Sequence, residues 1–417
     1  MTHLNIRFLT LLAAVNLTAL PACASSQVTP QIKPGATMTA DAGHDFIVWK
    51  EGFMQRALQK GYDQELVNRL IGPAKLSPVV ITRDQTQPEF TRPVWAYIES
   101  AVSADRLNQG QTELAKHQAV FEAIDTRYKV DRHILTAIWG LESAYGRIQG
   151  NHDIVSALST LAYEGRRQDW AESQIFAILD IVRDGQVRPD QLKGAWAGAM
   201  GMMQFIPTTF KDYAVDFNGD GNIDIWQNEG DALASAANYL SRFGWHWGAP
   251  VSLEVTLPSD FDHGQADGRR NSVATWEALG VRPIGGQSWS DAARMMDAKL
   301  LLPAGHRGPK LLTFKNFDVI KRYNNSTSYA LGIHNLAESL KGRRAITTSW
   351  PKSDKPLSRT DKEEMQKRLT ALGFDTKGVD GQIGPNTRRA IRGWQRANGV
   401  PADGYVEQTL FARIMGR

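Results

Sequence analysis

Residues 134–146 read Ile-Leu-Thr-Ala-Ile-Trp-Gly-Leu-Glu-Ser-Ala-Tyr-Gly. Apolar side chains at 134, 135, 138, 141 and 145 recur at three- and four-residue spacing, which predicts one stripe of an amphipathic helix. Glu142 stands four residues after Ile138 and three before Tyr145, so it projects onto that stripe or beside it. On the stripe, desolvation disfavours the carboxylate and raises its pKa, the condition for a general acid near neutral pH. At the edge it is an ordinary solvated glutamate. Spacing alone leaves both positions open.

Outward from this segment the chain reads as mainly α, in an α+β arrangement. From His44 to about Leu240 the pattern is helical, as in Phe46, Trp49, Phe53, Ala57 and in Val120, Phe121, Ile124, Tyr128. From about Ala249 to Phe317 the texture changes. Val251 to Leu257 alternates apolar and polar residues and predicts a strand, and Lys310 to Phe314 predicts another. This is a small β-containing insertion, after which Ala330 to Leu340 returns to helix. Residues 341–356 are basic and carry Pro and Ser, the composition of a linker, and residues 357–417 form a separate helical module.

The chain has 417 residues, 48 basic and 44 acidic. Residues 357–417 hold 11 basic and 7 acidic side chains, so the module carries the whole excess and the rest balances at 37 against 37. A nucleic-acid binder would carry a stronger basic field, which excludes nucleic acid as the partner. No apolar run is long enough to predict a membrane-spanning helix. Arg7, the apolar run Phe8 to Leu20 and the small residues Ala22, Cys23, Ala24 predict an export signal over residues 1–24 and a mature protein outside the cytoplasm. Two processing readings stand. Ala22-Cys23-Ala24 fits simple signal-peptide cleavage, while Leu20-Pro21-Ala22-Cys23 resembles a lipobox in which Cys23, the one cysteine of the chain, is lipidated. The second would place the protein in the periplasm on an outer-membrane lipid anchor, with residues 25–43 as a tether.

Two further motifs fix the resemblance. Lys193 to Pro207 contains Ala197-Gly198-Ala199-Met200-Gly201 followed by Gln204-Phe205-Ile206-Pro207, and Glu142-Ser143-Ala144-Tyr145-Gly146 has the form E-S-x-x-G. Over about residues 44–340 the chain resembles the membrane-bound lytic murein transglycosylase B family. Asp380-Gly381-Gln382-Ile383 with Thr387 is echoed by Asp403-Gly404-Tyr405-Val406 with Thr409. Together with Leu369-x-x-Leu372-Gly373-Phe374 and Trp394-Gln395, this resembles a three-helix peptidoglycan-binding domain.

The resemblance implies a lysozyme-like helical core and a lyase that cleaves the MurNAc–GlcNAc β-1,4 bond without water. Glu142 would serve first as acid and then as base, and the product would be a 1,6-anhydro-MurNAc end. It implies glycan contacts at Tyr97, Arg166, Arg167, Gln204, Phe205, Tyr239, Tyr323, Asn324 and Tyr329, with peptidoglycan strands and wall-remodelling proteins as partners. Ala195 departs from the pattern, since many members carry there a Ser that bonds the catalytic Glu. No cofactor is needed for the chemistry.

Asp216-Phe217-Asn218-Gly219-Asp220-Gly221-Asn222 places oxygen ligands at every second residue and a glycine at position six, the order of a calcium loop. Gln227 stands where the closing glutamate belongs. The resemblance assigns closure to Asp231, for a structural Ca²⁺ held by Asp216, Asn218, Asp220, Asn222 and Asp231. Two rivals remain in view: a hydrolytic muramidase on the same scaffold and a non-catalytic wall-binding protein.

Overall fold

The computed structural model describes residues 40–86 and 92–417. The export signal, Cys23 and most of the tether therefore lie outside the described residues. The first helix, Ala40–Gln59, begins four residues ahead of the expected start at His44, inside the segment read as tether. Among the described residues no helix is long and apolar enough to cross a membrane.

The chain divides into two compact units. The first comprises residues 40–86, 112–128 and 138–241. Its centre is the helix Ile154–Glu164, started by the Asp153 carboxylate on the Ser156 N–H and ended at Gly165, whose φ is 92°. Eight of its eleven residues are buried, including Ser159 and Thr160, so this helix is covered nearly all round. The helix Gln168–Arg183 packs along it, and Phe176 of that helix meets the ring of Phe53 at 4.9 Å. A two-residue ribbon, β1 (His152–Asp153) against β2 (Lys193–Gly194), leads into the Gln204 segment.

The second unit comprises residues 92–111, 129–137 and 242–417. The helices Val94–Ala101 and Thr327–Leu340 pack closely, because Gly332 lets the Tyr97 ring sit where a Cβ would be only 2.9 Å away. The expected insertion is an antiparallel sheet of β3 (Ser252–Thr256), β4 (Asn271–Ser272), β5 (Arg282–Pro283), β6 (Asp297–Leu301) and β7 (Lys310–Thr313), in the order β4-β6-β7-β3-β5. Its core holds Trp276 and Trp289, whose indole N–H groups donate to the carbonyls of Ala298 and Val281.

Two expectations change here. The alternation in β3 predicts an apolar face inside, yet Leu253 is exposed while Ser252 and Glu254 are buried. Glu254 is covered by the segment read as a linker. Its carboxylate accepts the N–H and hydroxyl of Thr347 at 2.6 and 2.7 Å and the Thr348 N–H at 2.9 Å, and these bonds hold its pKa below the ordinary range against the opposing effect of burial. Residues 341–356, read as a linker, are fastened to their own unit. Trp350 packs on Trp95, Lys352 pairs with Glu99, and Asp354 receives Arg307 at 2.7 Å.

The C-terminal module is built from Arg359–Ala371, Pro385–Ala397 and Gln408–Met415 around Met365, Leu369, Ile391, Trp394 and Phe411. The echo seen in the sequence has a mechanical basis. The amide of Gln366 donates to Asp380 Oδ1 and accepts the N–H groups of Asp380 and Gly381. That of Gln395 donates to Asp403 Oδ1 and accepts the Gly404 N–H. Each Asp-Gly turn is thus read by one buried glutamine. Asp403 also receives the N–H and Nδ1 of His306, from the loop between β6 and β7, at 2.9 and 2.7 Å.

Candidate active site

Glu142 is buried, at 5% exposure, in the last turn of the helix Arg132–Ser143. This settles the choice left by spacing in favour of the stripe. The chain then leaves the helix through three consecutive left-handed residues, Ala144, Tyr145 and Gly146, with φ of 50°, 61° and 81°. Two of these are not glycine, a conformation that costs energy and persists only where the surroundings fix it.

What fixes it can be named. Ser143 Oγ accepts the Gly146 N–H at 2.9 Å and the Ser143 carbonyl accepts the Ile148 N–H at 2.9 Å. The Tyr145 ring folds back over the helix, edge-on to Trp139 at 5.6 Å, and occupies the space a Cβ at residue 140 would need. The motif thereby acquires a physical reading: Ser and Gly close the turn, Tyr locks it, and Glu142 is held beside it.

Gln204 is the second lock. It too is left-handed, with φ 51°, and its amide Nε2 donates to the carbonyls of Gln149 and Gly201 at 3.1 and 2.8 Å. Gln149 in turn donates to the carbonyls of Gly146 and Trp226. The amide hydrogens expected to meet sugar are therefore spent on backbone, which joins the Gln204 segment to the turn after Glu142. Phe205 is a core ring rather than a cleft ring, at 2% exposure. It packs against Tyr239, and Tyr239 against Tyr213 at 5.0 Å. The N–H of Ala195 donates to Ala199 at 2.8 Å, and its methyl offers no hydroxyl in place of the family's serine.

Arg166 and Arg167 converge on Asp84, a fully buried carboxylate that no motif or spacing singles out. Arg166 Nε donates to its Oδ2 at 2.9 Å, and Arg167 lies 2.7 Å from Oδ1. Burial lowers the pKa of Arg167, and its Nε and Nη1 have no hydrogen-bond partner among the described residues. The remaining expected glycan contacts lie in the second unit. Asn324 ends the helix Lys315–Tyr323 and is buried, accepting the Ser326 N–H at 3.1 Å. Tyr329 is buried, and Tyr97 and Tyr323 are half-buried.

The acidic loop has the expected turns. Asp216 accepts the N–H groups of Gly219 and Gly221, and both glycines are left-handed, with φ of 77° and 86°. Asp220 accepts the Asn222 N–H and receives the Asn218 amide. Asp231 is fully buried and accepts the N–H groups of Phe217 and Asp224 at 2.9 Å. Burial first, and the charge of Asp216 in addition, raise its pKa. The donors are all oxygens, in the order that suits Ca²⁺. Among the described residues, however, no three acidic, His or Cys side chains converge as a ready metal cage.

Comparison with known proteins agrees with this geometry. The family model "Transglycosylase SLT domain" matches residues 45–338, and the model "Putative peptidoglycan binding domain" matches residues 358–414. Membrane-bound lytic murein transglycosylase B of Escherichia coli (strain K12) is 29% identical, over 69% of this chain and 81% of that protein. SltB3 from Pseudomonas aeruginosa, solved in complex with NAG-anhNAM-pentapeptide, superposes with a TM-score of 0.86 at 47% identity. That alignment covers 89% of this chain and 99% of SltB3. The Escherichia coli lytic transglycosylase Slt35, solved in complex with calcium, superposes at 0.60 with 29% identity, over 70% of this chain and 92% of that one.

Proposed function

The chain belongs to the transglycosylase SLT domain family, and from that premise we propose that Glu142 is the single acid and base of a peptidoglycan lyase. The observation that carries the assignment is the burial of Glu142 beside the locked turn. Protonated, it gives its proton to the glycosidic oxygen as the bond to the MurNAc anomeric carbon breaks. The substrate N-acetyl group relieves the charge left on that carbon. The carboxylate of Glu142 then takes the proton of the C6 hydroxyl, whose oxygen closes the 1,6-anhydro ring. One proton leaves the residue and one returns, and no water is consumed. SltB3 was solved with an anhydro-MurNAc ligand, the product this sequence of steps yields.

Several residues support this chemistry without touching the reacting atoms. Gln204 holds the turn, and Asp84 holds the arginine pair. The family resemblance implies sugar contacts for Tyr97, Tyr239, Tyr323, Asn324 and Tyr329, and in this reading the C-terminal module retains the enzyme on the wall.

The test is Glu142→Gln, which keeps the shape and removes the transferable proton. Loss of one acid–base group typically costs about 10² to 10⁴ in rate, and a group used twice belongs at or beyond the upper end. Wild-type products should carry anhydro ends, one water lighter than muramidase products. Reducing ends in their place would assign the scaffold to hydrolysis.

A structural Ca²⁺ at Asp216, Asn218, Asp220, the carbonyl of Asn222 and Asp231 is part of the proposal. Excess calcium should raise the melting temperature by mass action, and Asp220→Ala should remove most of that rise. Identical melting in calcium and in chelator would refute the site. Export and lipidation at Cys23 complete the reading, and the mass of the mature N-terminus decides between lipidation and simple cleavage.

A further inference from the structure

One cavity in the second unit is built jointly by the catalytic chain and the C-terminal module. The module supplies Lys362 from its first helix, Arg388 from its second, and Tyr405 from its second Asp-Gly turn; the catalytic chain supplies Arg92, Trp95 and Pro303. The other lining side chains are aliphatic or proline. The cavity encloses about 200 Å³, below the roughly 300 to 1,000 Å³ of pockets that hold drug-sized ligands. It is sized for the end of a chain rather than for a run of sugars.

Its charge is one-sided. Every ionisable side chain with a formal charge on the lining is a cation, and among the described residues none of the three forms an ion pair. Burial pushes the Lys362 ammonium below its ordinary pKa, with no carboxylate to offset it. Arg388 donates to the Gly404 carbonyl at 3.3 Å and is otherwise exposed, with Arg392 beside it.

The acids nearby are already engaged. Asp403 is held by Gln395, Tyr405 N–H and His306, and Asp354 by Arg307. Three cations clustered over apolar walls, Arg92 and Arg388 exposed and Lys362 half-buried, suit an anion that carries an apolar body. A neutral sugar would not answer the charge of this cluster, and an inorganic anion would leave the apolar walls against water.

We propose that this cavity captures the C-terminal carboxylate of a peptide ending in small apolar residues. In a peptidoglycan lyase that is the D-alanine end of the stem peptide, so the choice of peptide rests on the function proposed above. Because both parts of the chain line the cavity, peptide binding also favours the docked module over any arrangement in which the cavity is open.

The experiment titrates the full-length Glu142→Gln protein with acetyl-Lys-D-Ala-D-Ala and with its C-terminal amide, reading the dissociation constant by calorimetry. The amide should bind at least about tenfold more weakly, the size of a lost charge-assisted hydrogen bond. Lys362→Gln and Arg388→Gln should each weaken the acid by a similar factor and leave the amide unchanged, and Lys362→Arg should restore binding. Equal affinity for acid and amide overturns the proposal. So does indifference to both substitutions, equal loss in Lys362→Arg and Lys362→Gln, or equally tight binding of inorganic phosphate. The chemical reading fails separately, through the product masses of the wild type, since this measurement uses a protein without turnover.

Discussion

The turn after Glu142 and the paired turns of the C-terminal module solve one backbone problem in two ways. Both reverse the chain through left-handed residues. In the module that conformation falls on Gly381 and Gly404, each at φ 69°, where it carries no steric cost. Beside Glu142 it falls on Ala144 and Tyr145, and in the neighbouring lock on Gln204. The module repeats a cheap turn and fastens it with one glutamine. The catalytic segment places side chains where glycine would be easier, because Tyr145 and Gln204 are needed as locks. Strain tolerated at the site and avoided in the module fits a division between chemistry and retention.

The largest effect should come from breaking the lock without touching Glu142. Gly140→Ala would place a methyl 2.6 Å from Cζ and the hydroxyl of Tyr145, whose ring is held by its own backbone and by Trp139. In an open helix the same change gains about 1 kcal/mol. Here overpacking should cost about 1 to 3 kcal/mol and shift the Glu142 turn, and a misplacement of about 1 Å costs on the order of 10² in rate. Gly52→Ala is the control. Its methyl would meet only the Arg56 guanidinium, at 3.6 Å, so it should stabilise the fold and leave turnover unchanged. Paired melting curves and product release rates check both; wild-type turnover in Gly140→Ala would mean that Tyr145 locks nothing.

Next in size are the glutamine fasteners. Gln366→Ala strands the buried N–H of Gly381, and Gln395→Ala that of Gly404, each at a cost of about 2 kcal/mol. Cleavage of short soluble glycans should stay within about twofold while denaturant unfolding of the module moves to lower concentration. A full effect at one glutamine and none at the other would show that the two turns share a sequence pattern but not a mechanism.

Much of this was legible in the sequence, and the failures have physical causes. Helical stretches, two of the three longer strands (β3 and β7, but not β6) and the three-helix module follow from periodicity and turn residues. The paired Asp-Gly turns announce themselves, because Asp and Gly are what such turns require. Gln366 escaped notice, since nothing in its neighbourhood distinguishes a buried fastener from a surface amide; Gln395 stood only inside a quoted motif. Asp84 is invisible for the same reason. The alternation in β3 misled, because burial of Glu254 depends on Thr347 and Thr348, more than ninety residues away. Nothing near Gln204 in the sequence announces that its Nε2 hydrogens serve the backbone.

The smallest predicted effect separates the catalytic chain from the module by pH. His334, on the helix Thr327–Leu340, is fully enclosed, and burial depresses its pKa to about 4. Its Nδ1 is buried without a hydrogen-bond partner among the described residues. The folded state keeps the ring neutral, while the unfolded chain binds a proton below about pH 6.5. Stability is therefore complete above that value and falls as pH drops from 6.5 towards 4, by about 1.4 kcal/mol at pH 5.5. His152 and His263, whose pKa values burial also lowers, act with the same sign. The module contains no histidine, and its perturbed carboxylates, Asp361, Asp375, Asp380 and Asp403, are all lowered, so they lose stability only below the ordinary carboxylate range. Hydrogen exchange at pH 5.5, compared with pH 7.5 after correction for intrinsic rates, should show earlier opening of Thr327–Leu340 and no change in Pro385–Ala397. His334→Leu should flatten most of the difference, at the cost of the bond between the His334 ring and the Ser252 backbone, which lowers stability equally at both pH values. Equal slopes in wild type and His334→Leu would remove His334 as the cause, and acid opening of the module at pH 5.5 would erase the contrast between the two regions.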